Sequence, residues 1–557
     1  MHEISTRLVP LADFTKIRRV EGFERISAEY PTYLTDESKL SPQPFDYLFF
    51  PLDEAELAAI LKQMSVCKIN VTIAGARTGL VGGCVPPQGA LISLENFDRI
   101  RALTYDHNVG EWQIRSQCAV NLRSLNDQIS SKNLPDVEHC GDQTAINALK
   151  RFKEDPARYF YPPDPTELSA SLGGTVATNA SGARTFRYGP TRDWVRGIRV
   201  MLSNGEILSI PRGQYFASPE HEFIIYDSKG NDLRIKLPSY RMPPTKNTAG
   251  YFTAPQMDLI DLFIGSEGSF GIITEVTAAL AKRAEKISIV QFLKSDEQAI
   301  ELVSALRNET RIQLDFLEFY SGNALDLLRQ RQLQDPKSVD MPSIPGKAGA
   351  ALFFEFSFDA MADNLDYTAL EETINRCGAS LSDSWAGYEN RELQRMKDFR
   401  HILPETINAI IAERKKQYPA IHKLGTDLAV PDDRLHDMWQ IYRDRLETAD
   451  LQWVAFGHIG DNHVHINILP RDTNELQKGL ELYELFAAKA IEFGGTISAE
   501  HGIGKMKIKF LKLMYTPEEI NQMRAVKLAL DPESLLNPGN IFPESCMKIN
   551  EKLNNNK

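Results

Sequence analysis

The chain of 557 residues has no excess of basic residues: 63 Lys and Arg stand against 75 Asp and Glu, a net charge of −12. Binding nucleic acid needs a basic footprint, so that class of function is disfavoured. No stretch nears the roughly 18 uninterrupted apolar residues of a membrane span, so no transmembrane helix is expected. The opening MHEISTRLVPLADF carries Glu3 and Asp13 and lacks an apolar core, which argues against a secretory signal. Cysteine is scarce. Cys67, Cys84, Cys118, Cys140, Cys377 and Cys546 are scattered, with no Cys-x-x-Cys pair. Nothing therefore points to a disulfide framework, a zinc ribbon or an iron–sulfur cluster. A cytoplasmic location fits, and peripheral attachment to the inner membrane is compatible with it. The chain also lacks GxGxxG and GxxxxGK[ST], which disfavours a Rossmann dinucleotide fingerprint and a P-loop.

What remains is ordinary globular material, 42% apolar and 25% charged. The length exceeds a single core, so two or three domains are expected. Residues 1–45 read as an irregular lead-in with some helix. From 46 onward YLFFPL, INVTIAG, ALISLENF and EWQIRSQC read as strands, with DEAELAAILKQMSV as a helix between the first two. Residues 141–160 read as a helical insertion. WVRGIRVMLSNGEILSI reads as a hairpin around Asn204-Gly205, and IIYDSKGNDLRIKL as a second one. After about 285 the strands ISIVQFL, QLDFLEFY and ALFFEFSF mix with helices such as DEQAIELVSALRNE and DDRLHDMWQIYRDRLETA. That is an α+β pattern, expected as an antiparallel sheet with helices on one face. The polar tail after Met547 is expected to fray.

Three glycine-rich segments stand out. The first runs Gly75-Ala76-Arg77-Thr78-Gly79-Leu80-Val81-Gly82-Gly83, directly after the strand INVTI. The second joins Pro163 to Gly173-Gly174, Ala177, Asn179 and Gly182. The third is Gly265-Ser266-Glu267-Gly268 through Gly271-Ile272-Ile273. Glycines admit positive φ and close backbone approach, and successive N–H groups can form an anion nest. Each alone is compatible with a tight turn; the three in this order point to one bound ligand.

A second constellation lies near the C-terminus. His458 and His465 sit in GHIGDNHVH, and Glu500-His501 follow in SAEHGIG. Two imidazoles and a carboxylate are a common ligand set for a catalytic divalent metal, and His501 beside them can move protons. WVAFGH and HVHINIL read as two strands around a turn. Period-2 alternation puts His463, His465 and Asn467 on one face, with His458 at the hairpin mouth.

Together these segments resemble the FAD-linked D-2-hydroxy-acid dehydrogenases, flavoproteins of the vanillyl-alcohol-oxidase / p-cresol-methylhydroxylase type, over about residues 45–545. The resemblance implies an α+β fold: an FAD-binding domain of two α+β subdomains at 46–284, an α+β substrate or cap domain with an antiparallel sheet at 285–510, and a segment 511–557 that returns to the FAD domain. It implies that residues 75–83 cradle the FAD pyrophosphate, that 163–189, including Gly189, wrap the flavin, that Glu267, Gly271, Ile272 and Ile273 lie along the ribityl-adenosine part, and that Asn537 returns to the isoalloxazine. Thr78 stands where some relatives carry a flavin-linked His, so FAD is expected to be noncovalent. Ala76-Arg77 replace the usual glycines.

The same resemblance implies His458, His465 and Glu500 as ligands of a divalent ion (Zn²⁺ or Mn²⁺), Asn467 as a contact to substrate or ligands, His501 as the base, and Arg400 as the clamp on the substrate carboxylate. Lys423 is displaced from the usual lysine. Asn462 and His463 replace a glycine and an asparagine of the family pattern. The extra imidazole adds a ligand, shifts the metal preference, or does neither. The function implied is oxidation of a D-2-hydroxy acid of the lactate, glycolate or hydroxyglutarate class to the 2-oxo acid. Electrons would pass to a quinone, an electron-transfer flavoprotein, a cytochrome or a partner subunit. The alternatives are an oxidase of sugars, alditols or phenols that uses O₂, and a flavin-bearing subunit of a larger oxidase complex.

Overall fold

The computed structural model describes residues 4–335, 340–358 and 367–543. Cys546 and the tail beyond Met547 lie outside the described residues. Three sheets position the functional segments. The first is mixed and four-stranded, in the order Arg19–Glu21, Tyr47–Phe49, Ala90–Ser93, Val71–Ala74. Its last three strands are parallel. Asp53 caps the helix Glu54–Cys67 by accepting from Glu56 N–H at 2.9 Å. That helix buries Leu57, Ile60, Leu61 and Met64 in the same core as Val71, Ala90 and Ile92. The chain thus leaves Val71–Ala74 at the carboxyl end of a parallel strand, where open α/β sheets bind ligands, and enters Gly75–Gly83 there.

The second sheet is antiparallel, in the order Ile207–Pro211, Val195–Met201, Ile272–Ala279, Glu111–Gln117, Ile100–Asp106. Its hairpin turns at Asn204-Gly205, with Gly205 at φ +82°, and Glu222–Tyr226 pairs with Asp232–Lys236 as the second hairpin. The helix Gln143–Glu154 occupies the charged insertion.

The third sheet has seven antiparallel strands: Ser384–Gly387, Glu285–Leu293, Ala350–Phe358, Leu314–Ser321, Trp453–His458, His463–Ile468 and Leu424–Gly425. Helices cover both faces rather than one. Ile289, Leu317, Phe319, Leu352 and Ala455 share a core with the helices Asp296–Arg307 and Leu435–Thr448. The alternate residues Val290, Phe316, Tyr320, Phe353 and Val454 share another with Gly322–Gln334 and Asn390–Lys415. Both alternating sets are apolar, so each face needs a cover.

The lead-in also differs from its reading. Arg19–Glu21 pairs with Tyr47–Phe49, and Ile4–Ser5 pairs with Ile225–Tyr226. Strands of two or three residues carry too little alternation to register in sequence. At the other end Leu536 bridges Val71, and Asn537 N–H donates to Val71 O at 2.7 Å, so the last described segment joins the first sheet. No helix among the described residues is long and apolar enough to cross a membrane.

Candidate active site

A cavity of about 440 Å³ is walled by Gly75–Val81, Gly83, Ser171, Gly173, Gly174, Thr175, Ala177, Glu267, Gly268, Gly271–Ile273, Asn537 and Asn540, and also by Glu500 and His501. Of the C-terminal constellation, Glu500 and His501 thus share this space with the three glycine-rich segments; His458, His463, His465, Asn467 and Arg400 are not among its lining residues. Its size is that of a cofactor site.

The glycines are there because the walls touch. A Cβ at Gly75 would lie 2.6 Å from Ser171 Oγ, and one at Gly174 2.8 Å from the same atom. At Gly173 it would meet Cys118 Cβ at 2.4 Å and Cys118 backbone at 3.1 Å. Gly173→Ala should therefore force the helix Leu172–Thr178 away from the end of strand Glu111–Gln117, at a cost of about 1–3 kcal/mol. The expected result is a lower melting temperature and a lower flavin-to-protein absorbance ratio; an unchanged ratio would place this contact outside the cofactor wall.

Arg77 holds φ +60° where glycine would be unstrained, and its guanidinium lies 4.0 Å from the Tyr33 ring centroid. Gly82, Pro163, Asn179, Gly182 and Gly189 do not line the cavity, unlike the other residues read as cofactor contacts. Gly182 and Gly189 make room for Asp164 O and Asp193 Oδ2, which an added Cβ would strike at 2.0 and 1.9 Å. Asn179 closes the helix Leu172–Thr178 at φ +48° and accepts from Arg192 N–H. Their glycine and asparagine signals report backbone turns next to the wall. Glu267 lines the cavity, but its carboxylate is taken by the N–H groups of Ile503 (2.6 Å) and Gly504 (2.8 Å). It fastens the loop after His501 to the cofactor segment.

The strand register assembles the second constellation. His458 and His463 are the closing cross-strand pair of the hairpin, and His465 lies two residues on, on the same face. The ring centroids of His463 and His465 are 4.3 Å apart, and those of His458 and His465 5.7 Å. Asn462 turns the hairpin at φ +53° and is held by Arg307. Glu500 Oε1 lies 3.3 Å from His458 Nε2. One ligand atom from each of His458, His463, His465 and Glu500 falls within 4.8 Å of the others.

Neighbouring charge fixes the states of these groups. Burial pushes the Glu500 carboxyl up, but Lys246 and His458 outweigh it and hold it well below the usual range. Burial and the neighbouring His463 hold the His465 imidazole well below its usual range. Burial also pushes the His501 imidazole down to about 4, against the pull of the Asp427 carboxylate. His465 and His501 are thus neutral beside an ionised Glu500, whereas Glu500 and Glu318 overcome burial to raise His458 to about 9, so an ion bound there would displace its proton. Buried His463 Nδ1 has no hydrogen-bond partner among the described residues and lies 3.7 Å from Glu500 Oε1, so the donor set fits a divalent ion.

Arg400 lies neither on a solvated helix face nor free. Its Nε donates to Glu318 Oε2 at 2.8 Å, and its Nη2 lies 2.6 Å from Glu318 Oε1. Glu318 Oε1 is also 3.1 Å from His458 Nδ1, and Arg400 with His458 overcomes burial to pull Glu318 down to about 2. Asn467 is buried on the strand of His463 and His465, and its amide donates to His465 O at 3.4 Å. Lys423 is exposed, and partial desolvation lowers its pKa.

Three further residues come from distant sequence. Lys246, in PPTKNTAGY, donates to Glu500 and to Gly182 O, and lies 3.7 Å from Asp461. Asp427, in GTDLAVP, is fully buried. It accepts from Ser498 Oγ (2.8 Å), from the N–H groups of Glu500 (3.1 Å) and His501 (3.0 Å), and from Lys507. Glu318 carried the one legible signal: a carboxylate inside the apolar strand LDFLEFYS.

Two family models match the chain. One, described as FAD linked oxidases, C-terminal domain, covers residues 282–541; the other, described as FAD binding domain, covers 45–149 and 153–211. A D-lactate dehydrogenase of Anaerostipes hadrus is 29% identical over 516 residues, 89% of this chain and 88% of that protein. Glycolate oxidase subunit GlcD of Bacillus subtilis is 26% identical, with 95% of each chain covered, and a D-2-hydroxyglutarate dehydrogenase of Xanthomonas citri pv. viticola is 27% identical, with 90% of each covered. A solved alkyldihydroxyacetonephosphate synthase superposes with a TM-score of 0.58 at 13% identity, covering 96% of this chain and 88% of that one, which speaks to the fold alone.

Proposed function

This chain belongs to the FAD-linked oxidases, and on that premise we propose that it oxidises a D-2-hydroxy acid to the 2-oxo acid with noncovalent FAD and a divalent ion at His458, His465 and Glu500. The observation that carries the reading is the shared wall: Glu500 and His501 line the same cavity as the glycine-rich cofactor segments. Oxidation of the alcohol removes a proton from oxygen and a hydride from carbon. Bound in these places, the ion supplies Lewis acidity toward the hydroxyl and FAD supplies the hydride acceptor.

The protein does the rest. Residues 75–83 and 171–178 fix the cofactor against the site, and Thr78 in the first segment offers no imidazole for a covalent link. Asp427 Oδ2, 3.4 Å from His501 Nδ1, keeps the proton on that nitrogen and leaves Nε2 to take the hydroxyl proton. His465, stacked at 8° and 5.7 Å on His501, holds the ring plane. Lys246 and the backbone N–H groups on Asp427 hold the Glu500-His501 pair in place.

Arg400 binds the substrate carboxylate with the N–H groups that Glu318 does not occupy, and through Glu318 it also steadies His458. Lysine cannot serve both partners from one planar fork. Arg400→Lys should raise the KM for the hydroxy acid about tenfold or more, the loss of one charge-assisted bond, with flavin content unchanged. An unchanged KM would remove it from the substrate site.

The reading as a whole is tested by anaerobic flavin bleaching with a panel of D- and L-2-hydroxy acids. Bleaching should be selective for the D series and abolished by chelation, then restored by Mn²⁺ or Zn²⁺. Stoichiometric peroxide from a sugar, alditol or phenol with no metal requirement would replace it with the O₂-oxidase reading.

A further inference from the structure

Three imidazoles, not two, face Glu500. The register delivers His463 directly across from His458, and alternation puts it on the face of His465. We propose that His463 is a fourth protein ligand, so that this chain holds its ion with three imidazoles and one carboxylate; the inference rests on the metal reading above.

The geometry is close to what an ion requires. Two atoms each about 2.1 Å from one ion are at most about 4.2 Å apart, and the four candidate atoms lie within 4.8 Å of one another. Ion binding requires the widest pair to close by at least about 0.6 Å, a side-chain adjustment.

The far nitrogens point to the same assignment. A metal-bound imidazole keeps its proton on the other nitrogen, facing an acceptor. His465 Nδ1 lies 2.9 Å from Thr426 O, His458 Nδ1 3.1 Å from Glu318 Oε1, and His463 Nε2 3.0 Å from Asp427 Oδ1. Each ring therefore turns its lone pair toward Glu500, His463 through Nδ1. His463 is fully buried, and Nδ1 has no hydrogen-bond partner among the described residues. A core histidine with a purely structural role would satisfy that nitrogen, since leaving it bare costs about 1–3 kcal/mol. A coordinating ion removes that cost.

Four protein ligands would complete a tetrahedron and leave no position for substrate. A hydroxy acid binding through two oxygens needs two more positions. The set therefore favours a six-coordinate ion such as Mn²⁺ or Co²⁺ over tetrahedral Zn²⁺.

The test uses the full chain with FAD bound, as wild type, His463→Asn, His463→Gln and His458→Ala. Each is stripped of metal and titrated with Mn²⁺, Co²⁺ and Zn²⁺ against a competing chelator. Pulsed EPR of the Mn²⁺ form counts coordinated imidazoles, and flavin absorbance checks that each variant is folded. Wild type should bind one ion through three imidazoles. The two His463 variants should retain two imidazoles and bind Mn²⁺ at least about tenfold more weakly. Variants at 463 with unchanged imidazole count and affinity would overturn the assignment while leaving the metal reading intact. A wild type that binds no more ion than His458→Ala would overturn both.

Discussion

Replacing His501 with alanine is expected to slow flavin reduction by the hydroxy acid by about 10²–10⁴-fold, the usual contribution of a positioned general base. His501 lines the cofactor cavity and is the one imidazole among the described residues that does. His458, His463 and His465 converge on Glu500, where the proposed ion would engage them. His501 is set apart by its partner. Its Nδ1 faces Asp427, so Nε2 keeps its lone pair. The imidazole faces Asp427 rather than the glycine-rich segments, so flavin content should stay near wild type. Rapid-mixing measurements of anaerobic bleaching separate the chemical step from turnover. A reduction rate within tenfold of wild type would assign the proton transfer elsewhere.

The largest loss of stability is expected from Asp427→Ala. Asp427 is fully buried and its carboxylate balances Lys507, itself only 8% exposed. Burial alone would push this carboxyl up, but His501 and Lys507 hold it well below the usual range. Removing one partner of a buried pair leaves the other charge uncompensated, at a cost of about 3–5 kcal/mol. The backbone N–H groups of Glu500 and His501 lose their acceptor as well. Urea denaturation should show the fall in midpoint, and flavin reduction should fall with it because the Glu500-His501 loop is no longer fixed. The double variant Asp427→Ala/Lys507→Met, which buries no unpaired charge, should recover part of the stability. If it is no more stable than the single variant, the charge pair is not the source of the effect.

What could be read in advance depended on range. The cavity walls were legible because each is a local glycine pattern: Gly75–Gly83 after a strand, Gly173-Gly174 in a helix start, Gly268–Gly271 before a strand. The histidine face was legible because a strand alternates every two residues, which places His463 with His465 whatever the rest of the chain does. Gly182 and Gly189 carry the same local signal. Their signal was a turn, and only the fold shows that Asp164 and Asp193 occupy the space they leave.

The second helical cover on the seven-stranded sheet was not expected. Strands such as ALFFEFSF are apolar on both faces, which fits a two-sided cover but does not say which helices supply it. Arg400 carried no signal that it turns inward; its partner Glu318 lies 82 residues earlier.

The sequence alone determined which residues can bend tightly and which can share a strand face, since steric freedom and the two-residue repeat are properties of the local chain. It thereby determined the chemistry available: a cradle for one ligand and an imidazole–carboxylate set for another. Tertiary structure decided that the two face one cavity. Lys246 reaches Glu500 across 254 residues and Asp427 reaches His501 across 74. Contacts of that separation depend on how whole sheets pack, and no local preference encodes them.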